Sequence, residues 1–281
     1  MDDRESIVAV HRALDLGVNF FDTADVYGLG HAEEVLGQAL RARKHEAIVA
    51  TKFGVRWDEQ GKTTRDLTPT RVVEALEGSL RRLDLERIDL YQIHWHDQRT
   101  PIEETIDALK KCQENGKVRY VGCCNFSIAL VAEAQKYGRL ESLQLPYSLA
   151  ERDYENTIRY CAEQFKVTIL CYNPLAQGLF TGKYGRYSSF GDTDLRLRSH
   201  LFDGKNLEAN LVRLERLKLI SEHYGRTPSQ VAIRWILDTI PAACAITGIK
   251  STRQIEENVG AFTWRLSMAD LEFLGIEPSQ V

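Results

Sequence analysis

The stretch Val18-Asn19-Phe20-Phe21-Asp22-Thr23-Ala24-Asp25-Val26-Tyr27-Gly28 decides how this chain is read. A short apolar run from Val18 to Phe21 ends in a carboxylate, and a phenol follows further on beside a glycine. The run is too short for a helix and is bounded by polar residues. It is therefore expected to be a strand that carries Asp22 at its C-terminal end, with Tyr27 on the loop beyond. Neither residue identifies chemistry alone, because an Asp at a strand end is usually a cap and a loop Tyr usually lies on the surface. Their partners have to come from the rest of the chain.

On the N-terminal side, residues 5–17 place Ile7, Val8, Val10, Ala13, Leu14 and Leu16 at helical spacing and close at Gly17. On the C-terminal side an amphipathic helix is expected over 32–43. The β-favouring run Ile48-Val49-Ala50-Thr51-Lys52 then ends in a lysine. Residues 54–68 are polar, contain Gly54 and Gly61, and read as a loop. Thr68-Pro69 starts a helix to about Leu83, and Ile88–His94 is a strand ending in a histidine. Thr100-Pro101-Ile102-Glu103 has the pattern of a capping box and opens a helix to Asn115-Gly116. A strand Val118–Cys124 ends at Asn125. A helix at 127–137 precedes Leu143-Gln144-Leu145, and another at 153–165 precedes Val167–Tyr172. Residues 175–206 lose periodicity and read as a long functional loop. Helices follow at 206–224 and 229–239, then a strand Ala243–Gly248, a helix at 252–262 and a short one after Ser267.

Strands that alternate with helices predict parallel βαβ units, and runs that are apolar on both faces predict a sheet covered on both sides. With no break in 281 residues, a single (β/α)8 barrel domain over 1–281 fits better than two doubly wound domains. No Gly-x-Gly-x-x-Gly follows a strand, which argues against a Rossmann unit. Seven strands are counted, and the chain begins inside a helix that should follow a strand. The first barrel strand is therefore expected to be missing from this chain, leaving unpaired edges beside it.

The bulk numbers exclude several function classes. At 43% hydrophobic and 27% charged, with a net charge of −4, the chain has the profile of a soluble protein and no basic footprint for nucleic acid. No apolar run suggests a membrane span or a secretory signal. The six cysteines, scattered without metal-type spacing, suit reduced thiols and a cytoplasmic setting.

In a barrel the C-terminal ends of the strands meet at one mouth. That gathers Asp22 with Tyr27, Lys52, His94, Asn125, Gln144 and Tyr172. A phenol with pKa near ~10 is a poor acid at neutral pH unless a cation favours its anion. Lys52 can supply that cation, Asp22 can hold Lys52, and His94 can donate to a substrate oxygen. The set suits protonation of a carbonyl oxygen as hydride reaches its carbon. A zinc hydrolase is the rival, because His94 and His96 share a face at strand spacing, but His96 is expected beyond the strand end and the other five histidines on helices or loops, so no metal site is expected.

Beyond this point the text resembles the aldo-keto reductases over nearly the whole chain. Phe21-Asp22-Thr23-Ala24 with Tyr27-Gly28 and Glu33-Glu34, Ala50-Thr51-Lys52, and Asp89-Leu90-Tyr91-Gln92-Ile93-His94-Trp95 carry the resemblance. So do Gly122-Cys123-Cys124-Asn125-Phe126, the segment Tyr172-Asn173-Pro174-Leu175-Ala176-Gln177-Gly178-Leu179, and Gly248-Ile249-Lys250 through Gln254, Glu257 and Asn258. The resemblance implies a (β/α)8 barrel that binds NADPH extended, with NAD as the second candidate cofactor and a small carbonyl compound as substrate. It implies the tetrad Asp22, Tyr27, Lys52 and His94, with Tyr27 as general acid. Asn125 and Gln144 would hold the carboxamide, Tyr172 would stack on the nicotinamide, and 175–206 would cover the pyrophosphate. By the same resemblance Asn173, Leu175, Gln177, Gly178, Gly248 and Glu257 belong to the cofactor segments. Lys250 would meet the 2′-phosphate, and Gln254 and Asn258 the adenosine. Cys124 and Asn173 depart from the family pattern, each standing where serine is usual. Trp57, Trp95 and the 175–206 loop are expected to shape the substrate pocket. The alternatives are a non-catalytic cofactor-binding regulatory subunit and an inactive truncated reductase.

Overall fold

The computed structural model describes residues 2–275. Contacts gather into two compact units. Among the described residues, one runs through Leu145 and adds Thr157–Ile169 and Ile249–Ile255; the other holds Pro146–Asn156, Leu170–Gly248 and 256–275.

The first unit opens with α1 (Asp3–Asp15), capped by Asp2, whose carboxylate accepts from the Arg4 amide at 2.9 Å. Its Ala9, Ala13 and Leu14 are buried, and the helix packs on α2 (His31–Leu40). Between them β1 (Phe20–Asp22) is short and pairs in parallel with β2 (Ile48–Phe53), Asp22 lying opposite Ala50. Residues 54–68, expected to be a loop, instead contain an antiparallel hairpin of β3 (Val55–Trp57) and β4 (Thr63–Arg65). Its turn is made by Asp58, whose side chain accepts from the amides of Gln60 and Lys62. Three-residue strands with no apolar alternation leave no period to read, so composition alone pointed to a loop.

Thr68 caps α3 (Pro69–Leu83) with Pro69 in its first turn, as expected. β5 (Ile88–Ile93) follows, then α4 (Ile102–Glu114). The expected capping box does not form. The Thr100 hydroxyl donates to Asp97 at 2.7 Å, and Pro101 takes the cap position without a side-chain bond. β6 (Val118–Cys124), α5 (Ile128–Ala134), β7 (Ser142–Pro146), α6 (Glu155–Gln164) and β8 (Thr168–Tyr172) complete the alternation. Further on come α7 (Gly204–Tyr224), α8 (Pro228–Thr239), β9 (Ala243–Ile246), α9 (Thr252–Val259) and α10 (Met268–Gly275). The strands β1, β2, β5, β6, β7, β8 and β9 are hydrogen-bonded in that order, the seven that the sequence predicts. The pairs β1–β2, β2–β5, β5–β6 and β6–β7 are parallel. β2 and β5 are buried along most of their length, as strands covered on both faces must be.

In the second unit, residues 175–206 are not structureless. They hold three 3-10 helices, Ala176–Thr181, Leu195–Arg198 and His200–Phe202. The segment packs on itself: the Arg196 guanidinium lies 4.5 Å from the Tyr184 ring and 4.9 Å from Phe190, and Phe190 meets Phe202 at 5.1 Å. Asp194 holds that guanidinium through an ion pair. Cation–π and edge-on aromatic contacts of this kind need no periodicity, so they leave no trace in a helix or strand pattern. α8 starts with a capping box of Thr227 and Gln230, and buries Trp235 stacked on Tyr147 at 5.4 Å.

Candidate active site

All four tetrad residues lie in the first unit, at or just beyond the C-terminal ends of parallel strands. Asp22 is the last residue of β1, Lys52 sits near the end of β2, and His94 follows β5. The Lys52 amide carbonyl accepts from Asp25, and His94 N donates to Phe53 O at 2.9 Å, so adjacent strand ends hold one another in register. Tyr27 starts a 3-10 turn, Tyr27–Gly30, in which Gly28, Leu29 and Gly30 all have positive φ. Gly30 is required there on two grounds: its φ is 100°, and a Cβ would stand 2.8 Å from Arg82 Cδ.

The centre of the site is a buried ion pair. Lys52 Nζ donates to Asp22 Oδ2 at 2.5 Å and to Thr23 O at 2.8 Å, with the lysine side chain fully buried and the aspartate 7% exposed. A charge so placed would release its proton unless compensated. Burial presses the Lys52 pKa down most strongly, but the attraction and hydrogen bond of Asp22, added to the smaller pulls of Tyr27 and Cys124, together turn the net shift upward. The other carboxylate oxygen, Asp22 Oδ1, accepts from Gln144 Nε2 at 3.0 Å and Gln92 Nε2 at 3.2 Å. One lysine and two amides thus satisfy a carboxylate removed from water.

Tyr27 closes the site from the loop. Its ring lies 5.2 Å from Lys52 Nζ and meets the His94 ring edge-on at 5.9 Å. The residue is 44% exposed. Desolvation nevertheless pushes the phenol pKa above its ordinary value, and Lys52 pulls it back only in part. Lys52 thus pulls the phenol toward its anion, but in this structure burial outweighs it. His94 is pushed down to about 3 by burial, then by the Lys52 and Arg65 charges, so its imidazole is neutral at physiological pH. Its Nδ1 is buried and has no hydrogen-bond partner among the described residues.

Asn125 adopts a left-handed φ of 60°, donates to His94 O at 3.2 Å through its amide, and receives its own backbone partner in Gln144 O. Lys250 and Gln254 meet locally: Gln254 Oε1 accepts from the Lys250 amide at 2.6 Å, closing the start of α9. In the second unit, Asn173 donates to Glu151 at 3.0 Å, and Gln177 and Gly178 form a left-handed kink behind Leu175. Gln177 Oε1 is buried and has no partner among the described residues. Tyr172 ends β8, and Gly248 lies just after β9. The Glu257 carboxylate accepts from Thr227 Oγ1 at 3.1 Å, and Asn258 is buried.

The sequence that builds this geometry matches the aldo/keto reductase family model over residues 1–274. The chain belongs to the aldo/keto reductase family. It is 36% identical over 272 residues to aldo-keto reductase YhdN of Bacillus subtilis, covering 96% of this chain and 82% of that one. It is 34% identical to aldo-keto reductase yakc [NADP(+)] of Schizosaccharomyces pombe, covering 96% of this chain and 81% of the other. Among solved structures, a glycerol dehydrogenase from Gluconobacter oxydans superimposes with a TM-score of 0.92 at 36% identity, over 98% of this chain and 85% of that one. The α/β architecture of parallel strands and surrounding helices is that of the aldo-keto reductase barrels.

Besides Cys124, which departs from the family pattern, several residues that support the site were not singled out from the sequence of this reductase. Gln92 is fully buried and binds Asp22, and the signal for it was present: a polar residue inside a buried strand, two positions before His94 and so on the same face. Gly122 makes room for it, since a Cβ there would stand 3.2 Å from Gln92 Cγ and 2.1 Å from Ser142 Oγ. Glu33, fully buried, accepts from Thr51 Oγ1 at 2.5 Å and from Arg82 at 2.7 Å, which fastens α2 and α3 to the strand that carries Lys52. Asp25, also fully buried, pairs with Arg71 at 3.1 Å beneath the Tyr27 turn. Cys124, in the place of a serine, directs its thiol toward Gln92 Oε1 at 3.9 Å; burial raises its pKa, so it stays a neutral thiol.

Proposed function

We propose that this reductase converts an aldehyde or ketone to the alcohol with Tyr27 as general acid. The observation that carries the reading is the buried Asp22–Lys52 pair set under the Tyr27 ring beside a neutral His94. A phenol held protonated by desolvation is in the right state to give its proton to a carbonyl oxygen. As the proton leaves, the Lys52 charge stabilises the phenolate that forms. Asp22, held by Gln92 and Gln144, keeps that ammonium in place. His94 carries one N–H in its neutral form and donates it to the same substrate oxygen, which aligns the carbonyl without competing as an acid.

The residues present suit a nicotinamide dinucleotide. Gln177 Oε1 is a buried acceptor without a partner, and Lys250 makes no ion pair among the described residues. When bound, the reduced nicotinamide supplies the hydride that the carbonyl carbon accepts. In the first unit Asn125 and Gln144 would contact the carboxamide, and Lys250 with Gln254 the adenosine phosphate end. In the second, Tyr172, Asn173, Leu175, Gln177, Gly178, Gly248, Glu257 and Asn258 would contribute. The NADP named for the fission-yeast relative favours NADPH, with NADH as the alternative.

The test is oxidation of NADPH by the purified protein with a panel of aldehydes, with Tyr27→Phe beside it. Loss of the general acid is expected to lower kcat/KM by about a hundred- to ten-thousand-fold while cofactor affinity stays within a few-fold. Cofactor binding without turnover in the unmutated protein would favour a regulatory cofactor-binding role instead. Absence of cofactor binding would favour an inactive reductase.

A further inference from the structure

Beside Trp95, the residue after His94, opens a groove of about 220 Å³, lined by Val55, Thr63, Thr64, Arg65 and Trp95 itself. The β3–β4 hairpin supplies four of these residues, and Trp95 follows His94 directly. A series of ring contacts joins the groove to the tetrad. Tyr27 meets His94 edge-on at 5.9 Å, His94 stacks on Trp95 at 6.3 Å with 24° between the planes, and the Arg65 guanidinium lies 4.7 Å over Trp95.

Arg65 is exposed, and its charge is not neutralised by a neighbour. Its guanidinium donates to His96 O at 3.3 Å, and among the described residues it makes no ion pair. The acids nearby are committed elsewhere. Asp66 pairs with Arg56 at 2.9 Å and accepts from Thr68, while Asp97 accepts from the amides of Leu67, Arg99 and Thr100. The Trp95 face holds the guanidinium, and the Thr63 and Thr64 side chains line the same groove. Arg65 also acts on the tetrad, since its charge adds to burial and Lys52 in lowering the His94 pKa. A planar guanidinium with several N–H groups is the side chain best matched to a carboxylate or phosphate.

We propose that this groove receives an anionic group carried by the carbonyl substrate, remote from the reacting carbon, and that Arg65 selects for it. The proposal rests on the carbonyl-reductase reading above for its consequence in turnover, but not for the binding of the anion. A neutral substrate gains nothing from Arg65; a carboxylate or phosphate gains a charge-assisted hydrogen bond at each encounter.

Two measurements test it. First, kcat/KM is compared for aldehydes of equal length ending in a carboxylate, a phosphate or a hydroxyl, with the unmutated protein, Arg65→Gln and Arg65→Lys. The unmutated protein is expected to favour an anionic end by about fivefold over the hydroxyl, the size of an exposed ion pair. Arg65→Gln should bring the ratio near unity, Arg65→Lys should keep part of it, and the more strongly favoured anion identifies the source. Salt at about 0.5 M should erode the preference through screening. An unchanged ratio in Arg65→Gln overturns the proposal. Second, succinate is titrated against tryptophan fluorescence, which needs no turnover. Saturable quenching that disappears in both Arg65→Gln and Trp95→Phe supports the anion site. Its absence in the unmutated protein, or its persistence in Arg65→Gln, refutes it. If succinate binds as expected while no aldehyde is reduced, the reductase reading has failed and the anion site has not.

Discussion

At the scale of single residues, Lys52 and Asp22 show why a buried charge is stable only as part of a set. Lys52 is fully buried yet keeps its proton because Asp22 lies at 2.5 Å, and Asp22 in turn is satisfied by two glutamine amides. Removing one partner strands the other. Lys52→Met is expected to cost about 3–5 kcal/mol in urea unfolding, because an uncompensated carboxylate remains in the interior. Adding Asp22→Asn should restore a large part of that stability, since no net charge is then left buried, and it should restore none of the activity. A double variant no more stable than Lys52→Met would mean that the loss comes from packing and not from charge.

At the scale of elements, the approach of α2 to α3 sets where the Tyr27 turn can sit. Gly37 of α2 lies against the C-terminal end of α3, and a Cβ there would come within 2.7 Å of Arg82 O and 2.8 Å of the Leu83 carbonyl. Alanine in a helix normally gains up to ~1 kcal/mol over glycine. Here the obstacle is backbone, which cannot swing aside as a side-chain tip can, so the steric term wins. Gly37→Ala is expected to lower stability by about 1–3 kcal/mol in thermal or denaturant unfolding. Because the same contact positions Arg82 for Glu33, which also accepts from Thr51 beside Lys52, reductase activity should fall with it. A variant as stable as the parent would show that the two helices can separate without cost.

At the scale of the whole molecule, stability should depend on pH through Asp25. Burial raises its carboxyl from 3.8 to about 7, against the opposing pull of Arg71. A folded-state pKa above the unfolded value means that the native state holds the proton more tightly. The favourable contribution is therefore complete below about pH 4 and is lost as pH rises through about 7. Asp25→Asn, neutral at every pH, is expected to flatten the stability profile between those limits in denaturant midpoints measured across pH. A slope that persists unchanged in the variant would assign it to another group.

How much of this could be read without coordinates follows from the range of each interaction. The alternation of strands and helices, the seven strands and the placement of Asp22, Lys52 and His94 at strand ends were legible in the sequence, because apolar periodicity and caps are local signals. The family motifs made Tyr27 their partner. The β3–β4 hairpin, the self-packed 175–206 segment and the failed cap at Thr100 were not legible, since each is settled by contacts that carry no period. Thr100 illustrates this: its hydroxyl had two local uses, and Asp97, fixed by the Leu67 amide, took it. The same holds for Gln144, which donates to an aspartate 122 positions away. By itself, the sequence determined which chemical groups this protein has and on which strand ends they stand. Only the tertiary structure decided which of them share protons and charge, because register and burial bring together polar groups that chain order keeps apart.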